Sequence, residues 1–107
     1  MNSDSRLMHT VVFWLKPGTP TSVPTAMAEF YYQRIAGVDG VEQVFAGHPA
    51  GTDRDVVDSS YQLLTSLLFR DKAAQDAWQS DPVHDTFRDT FGPSFDRVVV
   101  YDNLEAV

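Results

Sequence analysis

Two histidines carry most of the chemistry this sequence offers. His84 lies in the stretch Ala77-Trp78-Gln79-Ser80-Asp81-Pro82-Val83-His84-Asp85-Thr86-Phe87, which also holds a large aromatic and a helix-stopping proline. An imidazole, with a free pKa of about 6.5, is the side chain most readily tuned for proton transfer near neutral pH. Trp78, Val83 and Phe87 offer it an apolar wall. Two readings of His84 stand side by side: a general base at the end of a ligand pocket, or a histidine that hydrogen-bonds Asp81 or Asp85 and caps a turn. His9 is the second candidate, in an apolar run with Val11 and Phe13. His48, ahead of Pro49 in a loop, reads as a surface residue.

Other chemistries lack their residues. The chain has no Cys, hence no thiolate nucleophile, disulfide framework or Cys-based metal site. It has no G-x-S-x-G element and no phosphate-binding loop. Asp81 and His84 could share a metal but have no third ligand nearby, and Asp53, Asp55 and Asp58 lack the glycine and terminal Glu of a calcium loop. No metal and no cofactor is expected. A net charge of −7 over 107 residues gives no electrostatic footprint for nucleic acid or an anionic membrane. No apolar run approaches the roughly 20 residues that span a bilayer, and Met1–Arg6 does not read as a signal peptide. A cytoplasmic location is the expectation.

The elements that must position the histidines can be read in order. Residues 1–6 are polar and expected to be mobile, and residues 7–104 form one domain. His9–Lys16 is rich in β-branched and aromatic residues and stops at Pro17-Gly18, the signature of a strand. Met27, Phe30, Tyr31 and Ile35 recur at helical spacing, giving a helix over about 23–36 with a cap at Thr21 or Ser22. Val38-Asp39-Gly40 turns into a peripheral strand over 41–47, and residues 48–60 are a long loop. Tyr61–Phe69 reads as another strand. Asp71 caps the helix Lys72–Trp78, Asp81 marks a break, and Pro82 suits the first turn of a further helical segment. Phe95–Tyr101 is the last strand. The order strand–helix–strand–strand–helix–strand predicts an α+β, ferredoxin-like split βαβ domain (βαββαβ), a four-stranded antiparallel sheet with two helices on one face.

Helices on one face leave the other open, yet the first, third and last strands are apolar on both sides. Val12, Trp14, Leu64, Leu68 and Val99 would expose a patch too large for a soluble monomer. A second copy packed sheet against sheet is the expected cover.

With that pattern in hand, the chain resembles the stress-responsive A/B-barrel (Dabb) family of dimeric α+β barrels from His9 to Asp102. The likeness rests on His9-x-Val11-Val12-Phe13 through Lys16, Ile35-Ala36-Gly37-Val38, Gly47, Phe69-Arg70-Asp71, Asp81-Pro82-Val83-His84 with Phe87, and Asp102. The resemblance implies a homodimer with facing sheets and a small pocket in each subunit between sheet and helices. One member is a plant polyketide cyclase that closes a ring by an intramolecular aldol reaction, using a tyrosine and a histidine six residues apart. His84 matches the histidine. The tyrosine position falls on Trp78, whose indole N–H can orient a carbonyl but exchanges no proton. His9 also matches a family pocket histidine. The expected pocket is lined by His9, Val11, Phe13, Leu67, Trp78, His84, Phe87, Phe95, Val98 and Val100, apolar with two imidazoles and suited to a small, mostly apolar or aromatic ligand.

Three functions follow as expectations. The first is a homodimeric small-molecule-binding barrel. The second is a lyase or cyclase with His84 as general base and His9 or the Trp78 indole as donor. The third, by analogy of fold alone, is a cofactor-free monooxygenase.

Overall fold

The sheet is built from the four β-rich runs, with Leu7–Leu15 forming β1, Val41–Gly47 β2, Leu63–Phe69 β3 and Phe95–Leu104 β4. The computed structural model describes residues 5–107. The strands lie in the order β2-β3-β1-β4, each neighbouring pair antiparallel. The helices are α1 (Ser22–Phe30), continued by a π-helical turn (Tyr31–Ile35), then α2 (Lys72–Trp78) and α3 (Pro82–Phe91). A 3-10 turn over Gly92–Ser94 leads into β4. This is the expected ferredoxin-like α+β architecture, with one correction: three α-helices cover the sheet, not two.

The extra helix arises where the sequence breaks. Asp71 Oδ1 accepts the Ala74 N–H at 2.8 Å and starts α2. Asp81, extended at φ −72°, ψ 136°, accepts the Val83 N–H at 2.8 Å and starts α3, with Pro82 in its first turn. Two caps ten residues apart reset the helix axis, and this turns His84 back toward the sheet.

Strand limits also move. β1 begins at Leu7, and β4 continues past Tyr101 to Leu104, because the two pair along their whole length, Leu7 opposite Leu104 and His9 opposite Asp102. Cross-strand pairing holds Asp102 and Asn103 in a strand that their own propensities disfavour. β3 starts at Leu63 rather than Tyr61. The expected mobile residues 1–4 lie outside the described residues, whereas Arg6 is tied to Glu105 by an ion pair at 2.6 Å.

Alternation along β1 sends Leu7, His9, Val11, Phe13 and Leu15 to the helical face, where Leu63, Leu67 and Phe69 join them under Met27, Tyr31, Ile35, Trp78 and Phe87. The turn into β2 touches α2 closely: Gly40 sits at φ +88°, and a Cβ there would lie 2.4 Å from Ala74 Cβ. Glycine is required on both counts. On the outer edge of β2 the Tyr32 hydroxyl accepts the Ala46 N–H at 2.8 Å and lies 3.2 Å from its carbonyl oxygen, closing that stretch to further strand pairing.

The face without helices differs in detail from expectation. Val12 is buried between Leu64 and Val99, its partners in register, and Trp14 is partly covered by the Arg97 guanidinium 4.6 Å above its ring and by Tyr61. The most exposed rings there are Phe45 at 63% and Tyr101 at 61%. The loop before β3 folds against this face: the Trp14 indole donates to Ser60 Oγ at 2.9 Å, and Asp58 accepts from the Ser60 N–H and hydroxyl. Those bonds hold the Asp58 carboxyl below its usual range and give it a structural task.

Candidate functional site

β4 is an edge strand, and the helices stop short of it. Val98 and Val100, on its helical face, therefore stay 42% and 48% exposed, and a trench remains between α3 and the β1–β4 pair. It encloses about 420 Å³, toward the small end of ligand sites. Val11 and Val100, and Phe13 and Val98, paired in register on β1 and β4, form its floor, and Phe95, Phe87, Trp78 and His84 complete the lining. His9 lies in the same floor.

Nine of the ten pocket residues expected from the sequence thus line one cavity. Leu67 does not: it is 1% exposed within the core, because β3 lies under α1 and its π-helical turn while the trench opens on the β4 side. Four lining residues were not expected, namely Tyr31, Gln79, Arg88 and Asp102.

His9 is 7% exposed, and its Nδ1 is hydrogen-bonded to the Asp102 carboxylate, its partner across the β1–β4 pair. Phe69 meets the imidazole edge-on at 6.1 Å. A carboxylate on Nδ1 fixes the ring and the tautomer that leaves Nε2 free to accept.

His84 has the opposite environment. Its Nδ1 is buried without a hydrogen-bond partner among the described residues. Asp81, one of the two neighbouring carboxylates that the sequence offers it, spends its carboxylate on the Val83 N–H, and Trp78 meets the imidazole edge at 5.0 Å and 89°. Desolvation chiefly, then the positive charge of Arg88, pushes the His84 pKa below 6.5, with Asp85 opposing. The imidazole is therefore neutral at pH 7. The unfolded chain binds this proton in a pH window where the folded one does not, so the contribution to stability is complete above about pH 6.5 and is lost as the pH falls through the folded pKa. Proton NMR should give His84 a titration midpoint below 6.5, and Arg88→Gln should raise it. A midpoint at or above that value in the parent would remove the desolvated-imidazole description.

Tyr31 is the residue that periodicity assigned to the core and nothing more. It is 4% exposed, meets Phe87 at 5.2 Å and 81°, and opens the π-helical turn closed by the Ala36 N–H bond to its carbonyl at 3.0 Å. Burial drives its phenol well above the ordinary value, with Thr65 offsetting a part, so the hydroxyl keeps its proton. Tyr31 thus contributes to the cavity lining, while its hydroxyl lies against Thr65 of β3. π-Helical turns recur at functional sites, but no residue type announces them.

Among the described residues no group of three or more His, Asp or Glu is placed to hold a metal ion. No described helix is long and apolar enough to cross a membrane.

The family model of the stress responsive A/B barrel domain matches residues 7–104. The chain belongs to that family. A search of curated proteins returns no match to the sequence. Among solved structures, a dimeric ferredoxin-like protein of unknown function from Thermobifida fusca is similar at a TM-score of 0.81 and 11% identity, covering 98% of this chain and 95% of that one. The hydroxynitrile lyase from Passiflora edulis gives 0.81 and 14%, covering 95% and 94%. A Dabb family protein from Mesorhizobium loti gives 0.75 and 22%, covering 96% and 99%. At these identities the likeness establishes the ferredoxin-like fold, and this A/B-barrel chain shares it over nearly its whole length.

Proposed function

We propose that this A/B-barrel protein is a homodimer that binds a small, largely apolar molecule in the trench between α3 and the β1–β4 pair. One observation carries the reading: an aromatic-walled cavity of about 420 Å³ holds two imidazoles, one oriented by Asp102 and one whose buried Nδ1 has no partner among the described residues. A buried nitrogen without a partner has a standing free-energy cost of about 1–3 kcal/mol, which a ligand hydroxyl or carbonyl would relieve. The apolar open face supports the dimer, with the two sheets meeting there and the trenches opening away from each other.

A second reading, lyase or cyclase chemistry, is favoured by the neutral His84 imidazole beside the Trp78 indole in one cavity. His84 would take a proton from a ligand hydroxyl or an activated carbon, the Trp78 indole N–H would hold the developing oxyanion, and His9 Nε2 would accept from a ligand donor. The fold likeness to a hydroxynitrile lyase puts cyanohydrins among the compounds to try.

One experiment addresses both readings. A panel of small aromatic aldehydes, alcohols and cyanohydrins should show members that bind the parent. Val100→Trp, which fills the trench from a side chain already 48% exposed, should abolish binding with an unchanged melting temperature. Binding that survives Val100→Trp would put the ligand elsewhere. Product analysis of the same mixtures then separates the readings: turnover that falls about 10²–10⁴-fold in His84→Gln makes His84 a general base, and binding without turnover leaves the first reading alone.

A further inference from the structure

Arg88 stands one helical turn after His84 on α3, so the two side chains share the rim of the trench. Its guanidinium has no ion-pair or hydrogen-bond partner among the described residues. Arg6 pairs with Glu105, Arg70 with Asp39 and Asp71, and Lys72 with Asp76. Lys16 donates to the Pro93 carbonyl, while Arg34 and Arg97 lie over the rings of Phe30 and Trp14. Of the eight Lys and Arg, Arg54 and Arg88 are the two without any of these partners among the described residues, and Arg54 lies in the exposed loop before β3. An unpaired cation beside a ligand cavity is conspicuous in a chain of net charge −7. Asp85, one turn back on α3, is not within ion-pair distance of it. Asp102, the carboxylate that lines the cavity, is committed to His9. The exposed Gln79 amide lies on the same rim, from the turn after α2.

We infer that the ligand of this cavity is an organic monoanion, its apolar body against Phe13, Trp78 and Phe87 and its carboxylate on the Arg88 guanidinium at the rim, with the Gln79 amide as second donor. The inference rests on the reading of the trench as a small-molecule site and adds the charge of the occupant. A guanidinium presents two parallel N–H donors matched to the two oxygens of a carboxylate, a geometry that an alcohol cannot use. The anion also offsets the repulsion that Arg88 exerts on an imidazolium at position 84, so binding should raise the pKa of His84.

Hydrocinnamate and hydrocinnamyl alcohol, which share one apolar body, make the test on the full chain by calorimetry or NMR at pH 7. The acid should bind the parent about tenfold or more tighter than the alcohol, the order expected of a charge-assisted pair. Arg88→Gln should remove that preference and leave the alcohol unchanged, and Arg88→Lys should keep part of it. Equal binding of acid and alcohol to the parent overturns the anion while the small-molecule site stands. A preference for acid that survives Arg88→Gln overturns the role of Arg88. Failure of both compounds to bind at millimolar concentration, with the melting temperature intact, overturns the site and the anion together.

Discussion

Phe87→Ala should cost about 3–5 kcal/mol of stability, the loss expected on truncating a large buried aromatic. Phe87 is 4% exposed and its ring meets those of Phe13, Phe30, Tyr31, Phe91 and Phe95 at centroid distances from 5.1 to 6.2 Å. Each such pair adds something beyond area, roughly 0.5–1.5 kcal/mol in isolation, and no neighbour can fill the gap without leaving its own partners. Phe87→Leu keeps most of the volume and should cost markedly less. Urea unfolding at a fixed protein concentration reads both, the concentration mattering because the proposed dimer would add to apparent stability. A loss below about 1 kcal/mol for Phe87→Ala would mean that the helices can close over the vacancy, and the trench wall would then be softer than described.

The same ring shows how far the sequence reaches. Phe87 was legible as a pocket residue because it follows His84 at helical spacing, and the apolar lining of β1 and β4 was legible from period-two alternation. Leu67 shares that alternation and lies on the helical face that it predicts. What alternation cannot report is where the helices stop, and it is the uncovered strand β4 that makes the cavity, so Leu67 is core and Val100 is lining. The polar groups were harder. Asp102 meets His9 only through strand register across 93 positions, and a strand ended at Tyr101 leaves it outside. Tyr31 reads as one more apolar position in a helical stripe, since the π-helical turn that begins there carries no composition signal. Arg88 and Gln79 look like ordinary solvated residues until the fold places them on one rim. The imidazole at position 84 was visible, but its lack of a carboxylate partner depends on Asp81 capping α3 instead.

Phe45→Glu should convert the proposed dimer to monomer at micromolar concentration while leaving the subunit folded. Phe45 faces the open side of the sheet on β2, with 63% of its surface exposed in the isolated subunit, so little intrachain packing is lost. In a two-fold interface the substitution enters twice, and each buried, unpartnered carboxylate costs several kcal/mol. Trp14→Glu is the less informative change although Trp14 lies on the same face. Its ring lies under Arg97 and against Tyr61, and its N–H is bonded to Ser60, so the variant would disturb the subunit and the interface together. Sedimentation equilibrium on Phe45→Glu, with circular dichroism on the same sample, separates the two effects. A folded monomer supports sheet-to-sheet assembly through the Val12–Leu64–Val99 centre. A dimer of unchanged mass and affinity would place the contact on another surface, and the apolar open face would then need a different cover.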